Sequence, residues 1–549
     1  MRTPLLAALL LAATVPAAAQ APTPKVYTRA DSLRGAVASP GRNWWDVTFY
    51  DLHVRISPAD STIRGWNAIT YRVTGAGREL QVDLMTPLEV DSVLQRGRRL
   101  PFRRDGNAFF VTPTATSVGT TATITVYYHG APRPAVRPPW EGGYSWKTDS
   151  LGRPWIVTTD QGVGASIWWP NKDTQADEPD SQRVALTVPG DLVEVSNGRL
   201  RSTAHNPDGT ITYEWFVTNP INNYAIAVAA GHYTHYSDVY QGIRGPLSLD
   251  FWPLDYHLDA AQRQFPQVKP MLACFEGWFG PYPWYEDGYK LIEVSNNGME
   301  HQSAVAYGNL FANGYRRRDM SGTGLGMQWD FIIVHESAHE WFGNNITTKD
   351  MADMWVHESF ANYAEGLYTE CLFGKQAGAD YIVGARRGIR NDRPIVPGTY
   401  GVNAQGSGDM YPKGGNMLHT IRQIVDDDVR WRGILRGLNA HFWHQTVQGS
   451  DVEQYISRAA GVDLSKVFDQ YLRDVRVPVL EYRAGRDSVS YRWTEVIPGF
   501  DMPLKVTVGG AAQLLHPTEQ WQTLAAPGGS GASFTVDRNF YVVARQVTP

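Results

Sequence analysis

In Val334-His335-Glu336-Ser337-Ala338-His339-Glu340 two histidines stand four residues apart inside a stretch of helical period. Four residues along an α-helix bring a side chain back to within about 40° of the first, one turn away, so both imidazoles can reach one point while Glu336 points beside it. A third candidate donor, Glu358, lies on the next predicted helix, with residues 340–357 between it and His339. A chain that uses all three must fold so that these two helices meet. Two imidazoles and one carboxylate leave one tetrahedral position open, as catalytic zinc sites do and closed Cys₄ or Cys₂His₂ sites do not. Oxygen-only Ca²⁺ or Mg²⁺ sites do not fit two imidazoles. Zinc is the natural occupant, and the ligand set alone leaves Co²⁺ and Mn²⁺ open.

The flanking sequence places this constellation in the middle of a multidomain α+β chain. From Trp44 to Tyr236 apolar residues alternate with polar ones, as in Leu52, Val54, Ile56 and in Ile63, Ile69, Tyr71, Val73, with Ser57–Ser61 reading as a turn. Similar runs at Ala122–Tyr128, Val184–Val188, Ile211–Val217 and Tyr224–Ala230 predict one large antiparallel β domain. The helical period then dominates in Ala260–Phe279, Gln328–Phe342, Met354–Cys371, Asn416–Leu438 and Val452–Ala460. Beyond Pro478 strands return at Val479–Tyr482, Ser488–Trp493, Leu504–Val508 and Phe534–Val543. The expected division is 20–240 for the β domain, 241–477 for a mainly α domain and 478–549 for a small β-sandwich.

Around the donors, the run from His335 through Trp341, Phe342, Gly343, Asn344, Asn345, Ile346 and Thr347, followed by Asp353, Trp355, Glu358, Phe360 and Ala361, resembles the gluzincin aminopeptidases, the family of aminopeptidase N and leukotriene hydrolase. His357, Ser359 and Met351 depart from the usual Asn, Gly and Trp, and none of them is a ligand position. Two further stretches are similar to that family: Asn297-Gly298-Met299-Glu300-His301, with His301 where Asn is usual, and Tyr411-Pro412-Lys413-Gly414. The resemblance implies a thermolysin-like catalytic domain holding one zinc on His335, His339 and Glu358, with Glu336 as the base. It assigns Glu300, with Gly298 and Met299, to the free α-amino group of a peptide, and Tyr411 to the tetrahedral intermediate. Thr159-Asp160-Gln161 resembles the stretch that places a Gln near the amine pocket, while Asp177-Glu178-Pro179 offers a second register for it. The implied activity is removal of one N-terminal residue from peptides with a free N-terminus. A leukotriene-hydrolase-like epoxide hydrolase is the rival within the family, but its third domain is helical where residues 479–549 read as strands. Asn362, four residues after Glu358 on the same helix face, is a candidate to hold a ring N–H of a metal-binding histidine, with packing elsewhere on the helix as the alternative.

With 50 Lys+Arg against 55 Asp+Glu and no long basic run, the chain has no field that would draw it to a nucleic acid or an anionic membrane. Arg2, the apolar run Leu5–Val15 and Ala17-Ala18-Ala19 read as an export signal over 1–19, without a lipid-anchoring cysteine and too short to span a bilayer, which predicts a periplasmic or secreted protein. The chain's two cysteines, Cys274 and Cys371, cannot be a disulfide framework. Export permits a bridge between them, but no spacing rule links them, and free buried thiols are the expectation.

Overall fold

The computed structural model describes residues 26–114, 116–526 and 534–548, so the export signal read at 1–19 lies outside the described residues. The N-terminal region is built on an eight-stranded sheet whose centre is Trp45–Ser57 beside Thr62–Val73. Burial along Trp45–Ser57 falls on Trp45 and Val47, then changes phase to Tyr50, Leu52, Val54 and Ile56. A β-bulge between Val47 and Phe49 in the ladder with Thr62–Val73 supplies the extra residue that shifts the phase.

The wholly antiparallel reading needs one correction. Trp45–Ser57 pairs in parallel with Ser181–Pro189, Leu52 opposite Val184. The chain between these strands passes through other sheets, long enough to return in the same direction, and alternating burial looks alike in either orientation. Tyr224–Ala230 is not a strand throughout: Asn223–Ala225 is a 3₁₀ turn, and pairing begins at Ala229. The Asn197 side chain takes the place of a ladder there, donating to Ala225 O at 2.9 Å and accepting from Ala227 N at 2.8 Å.

The middle region opens with a five-stranded sheet in the order Tyr236–Gly242, Gly245–Trp252, Tyr289–Glu293, Val305–Tyr307 and Gly298–Met299. The edge strand Gly298–Met299 lies along the motif helix Phe331–Ala338, and helices fill the remainder. Two predicted helices are divided. Ala260–Phe279 breaks at Phe265–Gln267, where Pro266 has no N–H to continue the ladder. Asn416–Leu438 falls into Pro412–Val425 and Asp428–His441 at Asp426, which has φ of 52°, and Asp427 caps the second by accepting from Val429 N and Arg430 N. Cys274 and Cys371 form a disulfide, correcting the expectation of free thiols. Their helices, Val268–Phe279 and Trp355–Phe373, pack side by side and bring the Cα atoms to 6.1 Å, a proximity that positions 97 residues apart do not announce.

The C-terminal region has a four-stranded and a three-stranded sheet. The run predicted as a strand from Phe534 to Val543 forms only the short pieces Thr535–Val536 and Val543–Gln546. Between them the backbone is spent on docking: Arg538 O accepts from Arg386, Tyr541 N donates to Thr420 Oγ1 and Tyr541 O accepts from Tyr471. The apolar core accordingly runs without a break from the helices into these sheets, while the N-terminal region has its own cluster. Among the described residues no helix is long and apolar enough to cross a membrane.

Candidate active site

Asp330 starts the motif helix, accepting from the N–H groups of Ile332 and Ile333 at 3.1 and 3.3 Å. The helix ends at Ala338, short of the predicted Phe342, and His339 is its C-cap, still in right-handed helical geometry, so the one-turn offset from His335 survives. Glu358 enters from the first turn of Trp355–Phe373. Its Oε2 lies 3.6 Å from His335 Nε2 and 3.5 Å from His339 Nε2, and it is buried without a hydrogen-bond donor. An orphaned carboxylate oxygen facing two ring nitrogens, all buried, fits a divalent cation of zinc type.

The opposite ring nitrogens are held. His335 Nδ1 lies 2.8 Å from Glu365 Oε1, and His339 Nδ1 lies 2.9 Å from the Phe342 carbonyl. Both acceptors place the ring proton on Nδ1 and leave Nε2 free to face the metal position. This corrects the role considered for Asn362. Its amide reaches Glu365 at 3.2 Å instead of an imidazole, and Tyr381 donates to the same carboxylate at 2.7 Å. Glu365 lies seven residues after Glu358, two turns along one helix face, and that spacing was the signal that could have found it.

Glu336 projects into the cleft beside Gly298. A Cβ built on Gly298 would stand 2.9 Å from Glu336 Oε1 and 2.9 Å from Ile332 Cγ2, so only glycine leaves the carboxylate its place. Met299 is buried and lines the same cleft. Glu300 follows, 3% exposed, and its Oε1 accepts from Gln161 Nε2 and, at 3.2 Å, from the Tyr224 hydroxyl. Burial first, then the nearby Glu358 and Glu336 carboxylates, push Glu300 up to about 7 against the pull of His339. A cation brought to Glu300 would relieve that cost.

Gln161 comes from the N-terminal region, in a turn closed by Gly164 N donating to Asp160 O at 2.7 Å and pinned by Arg34, which donates to Gly162 O at 3.0 Å. Of the two registers open in the sequence, Gln161 is the one placed at Glu300, and Glu178 sits by Asn222 instead. Tyr224 was missed, since a strand reading gives its hydroxyl no particular destination.

Tyr411 precedes the helix Pro412–Val425, its ring 5.9 Å from that of His335. Burial and the Glu358 carboxylate hold its hydroxyl well above the ordinary tyrosine range, so it stays protonated at neutral pH and can donate a hydrogen bond. Two glycines bring it there. A Cβ on Gly414 would meet Ser359 Oγ at 1.9 Å and one on Gly415 would meet Asn362 Oδ1 at 2.3 Å, so this helix lies directly on the helix of Glu358. His357 is engaged elsewhere, its Nε2 accepting from Thr348 N at 2.9 Å. His335, His339, Glu358, Glu336, Glu300, Gln161 and Tyr411 line a cleft of about 400 Å³ into which Trp140 also projects from the N-terminal region.

Residues 264–471, which hold the three donors, Glu336, Glu300 and Tyr411, match the peptidase family M1 domain. The chain is 27% identical over 270 residues to probable aminopeptidase 1 of Sulfurisphaera tokodaii, an alignment covering 45% of this chain and 34% of that one. It is 26% identical over 211 residues to aminopeptidase N of Lactococcus lactis, covering 36% and 24%. The chain thus spans about a third or less of the length of these curated relatives. The fold beyond residues 264–471 also has solved counterparts. An M1 zinc metallopeptidase from Deinococcus radiodurans superposes with a TM-score of 0.68 at 20% identity, covering 81% of this chain and 98% of that one. A two-domain M1 zinc metallopeptidase solved with L-tryptophan bound gives the same TM-score with 81% and 99% covered.

Proposed function

We propose that the protein is a zinc-dependent aminopeptidase that removes the N-terminal residue of peptides. The observation that carries this reading is the placing of one buried carboxylate, Glu300, beside the donor triangle of His335, His339 and Glu358 in a single cleft. A zinc ion held by that triangle would supply an acidified water at neutral pH and polarise a peptide carbonyl. Glu300, braced by Gln161 and Tyr224, pairs with the substrate ammonium and fixes the first peptide bond over the triangle, an anchor that an internal peptide segment has no charge to use. Glu336 takes the proton of the attacking water on its carboxylate and delivers it to the departing amine nitrogen. The Tyr411 hydroxyl donates to the carbonyl oxygen as charge develops on it.

We also propose that residues 1–19 direct export and that the three regions divide near 240 and 477, as the sequence suggests. The catalytic reading is tested by release of an amino acid from aminoacyl p-nitroanilides. Loss of release on chelation, recovery with zinc and loss in Glu336→Gln support it, while release that persists in Glu336→Gln sinks it. N-acetylated peptides cut as fast as free ones would remove Glu300 from the anchor role.

A further inference from the structure

The chain reverses at Tyr315–Arg318 with residues ill suited to the turn. Tyr315 and Arg318 exchange both backbone hydrogen bonds, at 2.9 and 3.0 Å, making a two-residue hairpin turn. The central residues, Arg316 and Arg317, have φ of 50° and 65°. Turns with two left-handed central residues favour Asn-Gly, because a Cβ crowds the backbone in that region. Neighbouring side chains hold the arginines there. Arg316 N and its guanidinium donate to Asn309 Oδ1 and Asn297 Oδ1, each at 2.6 Å, and Asn297 Nδ2 donates to the Tyr315 hydroxyl at 2.8 Å. Strain maintained by its surroundings is found most often at functional sites.

The turn borders the cleft through Tyr315 and through the contact of Arg316 with Asn297. Asn297 and Tyr315 both line it, and the edge strand runs back from Glu300 through Met299 and Gly298, past Glu336, to Asn297. A peptide whose ammonium is at Glu300 and whose first carbonyl lies by Glu336 therefore sends its later residues toward Asn297 and the arginines. Arg316, Arg317 and Arg318 are exposed, and none of the ion pairs among the described residues includes them. The adjacent Asp319 is already engaged by Ser321 and Gly324.

We propose that this turn receives a substrate carboxylate downstream of the bond that is cut, so that the cleft reads a short peptide from both ends. The inference rests on the aminopeptidase reading above. An extended di- or tripeptide spans about 7–10 Å, and a guanidinium pairs with a carboxylate through two parallel hydrogen bonds. The carboxylate is the C-terminal one of a short peptide, and an acidic side chain offers the same chemistry from a second source.

The test compares kcat/KM for a tripeptide free acid, its C-terminal amide and an amide with Glu in third place, using the N-terminal residue whose p-nitroanilide is released fastest. The free acid is expected to exceed the plain amide about tenfold, with the ratio falling toward one between about 0.02 and about 0.5 M salt. The ratio should also vanish in Arg316→Gln/Arg317→Gln and survive in part in the double Lys variant. A Glu-bearing amide that matches the free acid supports recognition through the side-chain source as well. Equal rates for all three substrates at low salt overturn the proposal, as does a ratio that persists in a double Gln variant whose thermal unfolding matches the wild type. The p-nitroanilide carries no carboxylate, so its release reports on the aminopeptidase reading alone. Should nothing be cut, calorimetric binding of the acid and the amide to zinc-loaded Glu336→Gln protein decides the matter, and equal affinities overturn the proposal.

Discussion

At the scale of single residues, the site is governed by what holds the donors and not only by the donors themselves. Glu365 is 1% exposed and touches His335, Asn362 and Tyr381, so its carboxylate fixes both the tautomer and the tilt of the first imidazole. Glu365→Gln should weaken zinc affinity about 10–100-fold, measured by competition with a chelator, because a primary amide can offer its N–H as readily as its oxygen to the ring. Asn362→Ala, which leaves the Glu365 contact to His335 in place, should cost less in the same titration. Tyr411→Phe removes one hydroxyl from the cleft and no zinc ligand. Turnover should fall on the order of 10²–10³-fold with zinc content unchanged, read by single-substrate kinetics and metal analysis together, and unaltered turnover would dismiss the assigned role.

At the scale of elements, the important event is the contact between Pro412–Val425 and Trp355–Phe373. Tyr411 reaches the cleft because Gly414 and Gly415 let the first helix touch the second at Ser359 and Asn362. Ser359 Oγ cannot swing aside freely, since it donates to Met410 O at 2.7 Å. Gly414→Ala should therefore displace Tyr411 and lower kcat by about tenfold or more while zinc binding is kept, a pattern that a 1 Å shift of a reacting group produces. Full activity in a folded Gly414→Ala protein would show that the contact yields without moving Tyr411. The edge strand Gly298–Met299 works in the same manner, since it is the missing side chain of Gly298 that gives Glu336 its room.

At the scale of the whole molecule, the segment that holds the candidate donors is completed by its neighbours. The N-terminal region supplies Gln161 and Tyr224 to Glu300, and the C-terminal sheets share the helical core through Arg386, Thr420 and Tyr471. The Cys274–Cys371 bridge ties the helix of Glu358 to Val268–Phe279 across a sequence separation of 97. Replacing both cysteines by serine should lower unfolding free energy by about 2–4 kcal/mol. Thermal unfolding with and without reductant checks this: only the wild type should lose stability on reduction.

Glu300 and Tyr411 stood out in the chain only by the resemblance of their short motifs to the gluzincin aminopeptidases. The candidate donors His335, His339 and Glu358, with Glu336, were legible through their spacing, since a helix of 3.6 residues per turn converts His335 and His339 into neighbours wherever it sits. The strands around Leu52 and Ile69 were legible for the same reason, through a period of two. Other features were decided only by the tertiary structure: the parallel ladder of Trp45–Ser57 with Ser181–Pro189, the disulfide, the choice of Glu365 over Asn362, and the choice of Gln161 over the second register at Glu178 as the partner of Glu300. Each of these is a contact between residues far apart in the chain or a choice among neighbours on one helix face. No local period records them, because they are set by how whole elements pack.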